Sequence, residues 1–204
     1  MFFYYIIEFL VKILVMPFFR LKIYGRKNFI KGSAVVVSNH YTKLDPVIFL
    51  TLRYQQMYTL IKKEASKSKT YWMYSWVGLV PIDREGNDIN GMKKALKVLK
   101  DDKKLIVFPE GTRNKADNEI KEFKGGAFLF AIKAQKPIIP IVYHDRLRFL
   151  RRNRLIIGEP FELSEYYGKK LSAEDYEKIA EDMRGKMIEL QNGLKGTVKS
   201  KSKK

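Results

Sequence analysis

The chain carries two histidines and no cysteine, so few side chains can move a proton near neutral pH. His40 lies in the run Ser38-Asn39-His40-Tyr41-Thr42-Lys43-Leu44-Asp45, after a valine-rich segment and before Asp45-Pro46. Asp45 follows five residues later. If the loop between them curls, its carboxylate can accept the imidazole Nδ1–H. That fixes the tautomer and leaves Nε2 free to take a proton. No Gly-x-Ser-x-Gly elbow occurs. A base without an obvious protein nucleophile fits a reaction in which the substrate's own hydroxyl attacks an acyl carbonyl. His-x-x-x-x-Asp is a loose pattern, and Asp45-Pro46 also has the form of a helix cap followed by a first-turn proline.

Two further clusters close apolar runs. Phe108-Pro109-Glu110-Gly111-Thr112-Arg113 combines a strand-stopping proline and a turn glycine with an acid and an arginine, whose planar fork suits phosphate oxygens. Lys124 and Gly125-Gly126 follow and can add charge and backbone N–H groups. Gly78-Leu79-Val80-Pro81-Ile82-Asp83-Arg84 ends in another arginine. Each cluster alone also reads as an ordinary polar turn. His144 and Asp145 read as surface or structural residues. No nucleotide-binding glycine signature or metal-ligand cluster is visible.

These groups need a scaffold, and the hydrophobic pattern describes one. Strands are expected at Ala34–Val37, Met57–Ile61, Leu105–Phe108, Ile138–Val142 and Leu155–Ile157, with a strand or loop at Val77–Ile82. Helices are expected from Asp45, over Ile89–Leu99, over Phe123–Ala134, and over Ala173–Leu190. Alternating strands and helices predict an α/β fold: a single domain with a central, mostly parallel sheet flanked by helices. Before it, Phe2–Phe19 is apolar except for Tyr4, Tyr5, Glu8 and Lys12, and Tyr4, Glu8 and Lys12 share one narrow helical stripe. The segment is short for a bilayer span and carries two charges, so it is expected to lie in a membrane interface. Arg20, Lys22, Arg26 and Lys27 follow it as candidate headgroup ligands. The expected organisation is a membrane-associated helix over residues 1–28, a catalytic domain over 29–194, and a disordered lysine-rich tail over 195–204.

The 204 residues suit one domain with a sizeable core, 46% of them being hydrophobic. The net charge of +18 points to an anionic partner: nucleic acid, an anionic membrane, or a phosphorylated or acidic substrate. Absence of cysteine excludes disulfides and thiolate chemistry.

Taken together, the clusters resemble the lysophosphatidate acyltransferase (1-acylglycerol-3-phosphate O-acyltransferase) family of the glycerolipid acyltransferase superfamily. That family carries four blocks in order. Asn39-His40 to Asp45 matches Asn-His-x-x-x-x-Asp. Gly78, Ile82 and Arg84 match Gly-x-x-x-Ile-x-Arg. Pro109 to Arg113 matches Pro-Glu-Gly-Thr-Arg, with Phe123, Lys124 and Gly126 after it, and Pro137 to Val142 matches the late hydrophobic block. Thr42 stands where many relatives have serine. The resemblance implies His40 and Asp45 as the catalytic dyad. It implies Arg84, Glu110 and Arg113 at a glycerophosphate site shaped by Gly111, with Thr112 and Lys124 also binding substrate. It implies an acyl donor on acyl carrier protein or coenzyme A, no bound cofactor, no metal and no nucleic acid. It places the protein at the cell membrane, peripheral or monotopic on the cytoplasmic face, and makes phosphatidate from lysophosphatidate by acylating the sn-2 hydroxyl. The same chemistry on another lysophospholipid or a lyso-aminolipid, or a non-catalytic basic membrane-binding module, are the alternatives. Tyr71, Trp72, Met73, Tyr74 and Trp76 are candidates to line an acyl groove or to pack in the core.

Overall fold

A computed structural model describes residues 2–49, 52, 56–67, 71, 78–83, 88–115 and 118–201. The chain begins with helix α1 (Phe2–Leu10), a wide π-turn at Val11–Val15, and α2 (Met16–Phe19). It continues through β1 (Lys22–Tyr24), β2 (Ala34–Ser38), α3 (Asp45–Phe49), β3 (Met57–Lys62), β4 (Leu79–Ile82), α4 (Ile89–Lys100) and β5 (Lys104–Val107). It closes with α5 (Leu129–Ala134), β6 (Ile138–Tyr143), β7 (Arg154–Ile157) and α6 (Ala173–Lys201).

The seven strands form one sheet in the order β1-β7-β6-β2-β5-β3-β4. All neighbours are parallel except β6 and β7. The central strands β2, β5 and β6 are buried at every position because both faces are covered. Alternate residues feed two cores. Val35, Val37, Leu105, Val107, Ile138 and Val142 pack with residues of α4, α5 and α6. Ala34, Val36, Ile106, Ile139, Ile141 and Tyr143 pack with Ile48 and Phe49 of α3 on the other side. The exits of β2 and β5 therefore leave on opposite faces, β2 towards β3 and β5 towards β6. The carboxyl ends of two neighbouring strands with diverging exits leave a crevice where α/β sheets place ligands.

Three expectations need correction. Residues 22–24 form an edge strand paired in register with Arg154–Ile156 of β7, so the sheet claims part of the segment read as an N-terminal membrane element. Three residues are too few to show a period. The expected helix from Phe123 starts only as a 3-10 turn at Gly125–Phe128 and becomes α-helical at Leu129. Lys124 N–H is tied to the Pro109 carbonyl, and the glycine pair has poor helix propensity. The backbone of α6 stays helical to Lys201, past the expected boundary at 195. Lysine is a good helix former, and extending an existing helix avoids the cost of a nucleus. Trp72, Met73, Tyr74 and Trp76 lie outside the described residues, while Tyr71 is half-buried.

The N-terminal helix is turned with its polar stripe inward. Tyr4 and Glu8 are buried, Glu8 pairs with Lys12 at 2.7 Å, and the Tyr4 hydroxyl accepts the Met57 N–H at the start of β3 (3.0 Å). Tyr5, Ile6, Phe9, Leu10, Ile13 and Leu14 face outward and are exposed. No helix among the described residues is long and apolar enough to cross a membrane.

Leu105 in the middle of β5 is fully buried. Leu105→Ala should lower the unfolding free energy by about 2–5 kcal/mol. Urea denaturation measures this, and a loss well under 1 kcal/mol would mean that the surrounding core collapses into the space.

Candidate active site

Asn39, His40 and Asp45 occupy the turn that leaves β2. Asn39 is buried and extends the β2–β6 ladder with its side chain: Nδ2 donates to the Tyr143 carbonyl (3.1 Å) and Oδ1 accepts the Tyr143 N–H (2.9 Å). The amide thus does what a further strand residue would do, while the backbone is released to turn at His40. Asn114 N–H, from the loop after β5, then donates to the His40 carbonyl (2.7 Å).

His40 Nδ1 meets Asp45 Oδ2 at 2.8 Å. The same oxygen accepts the N–H groups of Tyr41 (2.7 Å) and Thr42 (2.8 Å), and Oδ1 accepts the Thr42 hydroxyl (2.6 Å). Asp45 is fully buried, and these donors replace its water. Among the described residues its carboxylate is bonded back into the loop, to His40, Tyr41 and Thr42, so it orients the histidine. The Tyr143 hydroxyl donates to the Asp45 carbonyl (3.0 Å) and holds the residue from the sheet side. The imidazole stacks on Phe108, centroids 4.0 Å apart and planes at 22°, and Phe108 continues the stack to Phe49 (6.2 Å). With Nδ1 engaged as the donor, Nε2 is the ring nitrogen left for chemistry.

A cleft of about 680 Å³ opens at His40, between the end of β3 and the loop after β5. Gly111, Thr112 and Arg113 line it, as do Lys62, Lys115 and Lys121. Gly111 has φ +70°, the left-handed region that glycine adopts freely, and it turns the loop just after β5. A narrower cleft of about 320 Å³ shares Leu60, Phe108 and Gly111 with the first and runs between apolar residues including Ile82, Met92, Ala127 and Phe130. A cation-lined cavity beside an apolar one can hold a molecule with an anionic head and a hydrocarbon chain.

The structure therefore brings His40, Asp45, Gly111, Thr112 and Arg113 together. Lys124 lines the second cleft and not the first. Arg84 lies outside the described residues; Asp83, just before it, lines the second cleft. Glu110 is turned to the histidine loop: Oε1 accepts the His40 N–H (3.0 Å), while Oε2 is buried with no hydrogen-bond partner among the described residues. Burial pushes the Glu110 carboxyl up to about 7, against the opposing pull of the His40 N–H and of Lys121. Sequence reasoning missed Phe108 as the ring under histidine, Asn39 as a strand mimic, and the cleft lysines. Only Asn39 carried a signal, since it is the one amide between a buried strand and His40.

A family model described as Acyltransferase matches residues 20–144. The chain is 30% identical over 201 residues to the 1-acyl-sn-glycerol-3-phosphate acyltransferase BAT2, chloroplastic, of Brassica napus, covering 89% of this chain and 56% of that protein. It is 32% identical over 154 residues to the 1-acyl-sn-glycerol-3-phosphate acyltransferase of Streptococcus pneumoniae, covering 72% and 56%. The corresponding Bacillus subtilis protein is 29% identical over 184 residues, covering 85% and 89%. The chain spans little more than half the length of the first two. The crystal structure of the 1-acyl-sn-glycerophosphate (LPA) acyltransferase PlsC from Thermotoga maritima shares the fold, with a TM-score of 0.68 at 24% identity over 92% of this chain and 79% of that one.

The position of Glu110 sets a pH dependence. Folded, its carboxyl keeps a proton up to about 7; the ordinary value is 4.5. The folded state binds more protons in that window, so this contribution to stability is full below about 4.5 and is lost as pH rises through about 7. Glu110→Gln keeps an acceptor for the His40 N–H and cannot titrate. Its melting temperature should decline less than that of the wild type between pH 5 and pH 8. Parallel curves would show that Glu110 does not titrate there.

Proposed function

Because the chain belongs to the acyltransferase family, we propose that it transfers a fatty acyl group from a thioester of acyl carrier protein or coenzyme A to the free hydroxyl of lysophosphatidate, forming phosphatidate. The observation that carries this reading is the His40–Asp45 pair facing a cationic cleft that adjoins an apolar one. The similarity to 1-acyl-sn-glycerol-3-phosphate acyltransferases supports the choice of acceptor.

In this mechanism the acceptor hydroxyl donates to His40 Nε2. As its oxygen attacks the thioester carbonyl, the proton passes to the imidazole, and Asp45 stabilises the imidazolium through Nδ1–H. The C–S bond then breaks, the thiolate takes the proton from Nε2, and the new ester leaves. No acyl-enzyme forms. Arg113, with Lys62, Lys115 and Lys121 around the same cleft, supplies cations for the acceptor phosphate. Arg84, whose place in the sequence follows β4, would join them. The apolar cleft holds a length of hydrocarbon.

The protein acts at a bilayer in this reading. Support comes from the exposed apolar side of α1 and the π-turn, from Tyr5 to Leu14, which forms a face that water disfavours and lipid accepts. The net charge of +18 suits an anionic leaflet and an acidic carrier.

Acyl transfer by purified protein in detergent, with lysophosphatidate and each donor, tests the reaction. His40→Ala and Asp45→Asn should each lower turnover by about 10²–10⁴-fold. Wild-type turnover in His40→Ala would remove the dyad from the chemistry. A folded wild type inactive with both donors would rule out this donor and acceptor pairing. Arg113→Ala should raise the KM for lysophosphatidate about tenfold while the KM for the donor stays unchanged, since it removes about one charge-assisted hydrogen bond. An unchanged acceptor KM and rate would exclude Arg113 from the phosphate site.

A further inference from the structure

We infer that the turn between β6 and β7 is a second membrane contact, in which a cluster of arginines binds the phosphates of anionic phospholipids beside the N-terminal helices. The inference rests on the reading of the protein as one that acts at a bilayer.

β6 runs parallel to β2, and β7 returns antiparallel to it. The turn of residues 144–153 therefore stands at the same edge of the sheet as His40. It holds Arg146, Arg148, Arg151 and Arg152, and Arg154 follows at the start of β7. These five arginines surround a pocket of about 300 Å³ with His144 and Asp145 at its side. Arg146 donates to the Asn114 carbonyl (3.1 Å). The one carboxylate in the pocket, Asp145, is already held by His144 and by the Asn118 amide. Among the described residues the other four guanidinium groups have no ion pair. So dense a set of unneutralised cations repels itself unless an anion joins it.

At the tip of the same turn, Phe149 and Leu150 are 61% and 58% exposed. They are held there by construction. Asn153, 6% exposed, donates through Nδ2 to the carbonyls of Phe19, Arg148 (2.9 Å) and Arg151, and its Oδ1 accepts the Arg148 N–H (2.8 Å). Leu150 has φ +55°, a costly conformation for leucine, and its N–H donates to the Phe18 carbonyl (2.7 Å). Phe149 stacks on the exposed Phe18 at 5.3 Å. Phe18 thus joins the tip to α2, and one continuous patch presents apolar side chains flanked by arginines. A bilayer surface offers both partners together: phosphates for the planar guanidinium forks and acyl chains for the phenylalanine and leucine. A soluble anion would leave Phe149 and Leu150 in water.

The test uses the full chain and vesicles of phosphatidylcholine with and without phosphatidylglycerol. The triple variant Arg148→Gln/Arg151→Gln/Arg152→Gln should bind the anionic vesicles about a hundredfold more weakly than the wild type, since each surface cation contributes about fivefold. Its binding to neutral vesicles should be little changed, and its acyl transfer in detergent micelles should match the wild type, showing that it folds. Phe149→Ser/Leu150→Ser should weaken binding to both kinds of vesicle. If the wild type binds anionic vesicles and the triple variant binds them equally well, the turn is not a lipid site, and the N-terminal helices account for attachment alone. If the wild type binds neither vesicle, the membrane reading itself falls. If inorganic phosphate raises the melting temperature of the wild type but not of the triple variant, while both bind vesicles alike, the pocket takes a soluble phosphate and the lipid assignment is overturned.

Discussion

A carboxylate with no access to water must be satisfied entirely by the chain around it, and at Asp45 that requirement organises the site. Its oxygens draw in the amides of Tyr41 and Thr42, the Thr42 hydroxyl and the imidazole of His40. The loop has little freedom left once these are made. The tautomer of histidine, the plane of its ring against Phe108, and the direction of Nε2 all follow from where that one group sits. Oδ1 has the Thr42 hydroxyl as its donor, and losing it would leave a buried acceptor unmet, which costs more than the bond contributes when present. In the proposed reaction His40 is thus held in place before substrate arrives, which is where much of an enzyme's advantage over solution originates.

The sheet supplies the second requirement, a rigid edge. β2 and β6 are bound by backbone ladder up to Ser38 and Ile141, and Asn39 adds two more bonds through its side chain. β5 on the other side ends in the Pro109–Arg113 turn, whose Glu110 reaches across to the His40 N–H. The histidine backbone is therefore gripped from both neighbouring strands. Glu110 contributes by position more than by charge, which fits a carboxyl that burial inclines to stay protonated near neutrality.

Most of the central strands could be read from the sequence because a run such as Ala34 to Val37, buried on both faces, has few other uses. The His40–Asp45 contact could be read because its spacing needs only a local curl. What could not be read depends on contacts distant in the chain. β1 exists because β7, 132 positions later at Lys22↔Arg154, offers a free edge. Phe108 looks like the last residue of a strand until the fold lays His40 over it. Glu110 looks like a pocket acid until its partner proves to be a backbone amide 70 residues earlier. The Asp45-Pro46 pair marked the start of α3, and the fold adds that the Asp45 carboxylate is bonded back to the histidine loop.

The first helix keeps Tyr4 and Glu8 against the body of the protein and shows its hydrocarbon outward. What specifies this arrangement is phase, not composition. Adding or deleting one residue between Lys12 and Pro17 would rotate everything before it by about 100°, carrying Glu8 out of its buried seat and turning Phe9 and Leu10 away from the surface. The π-turn at Val11–Val15 is the kind of element that a one-residue insertion produces in a helix. Exchanging one outward apolar residue for another should therefore be tolerated freely along this segment, whereas its length is fixed to the residue.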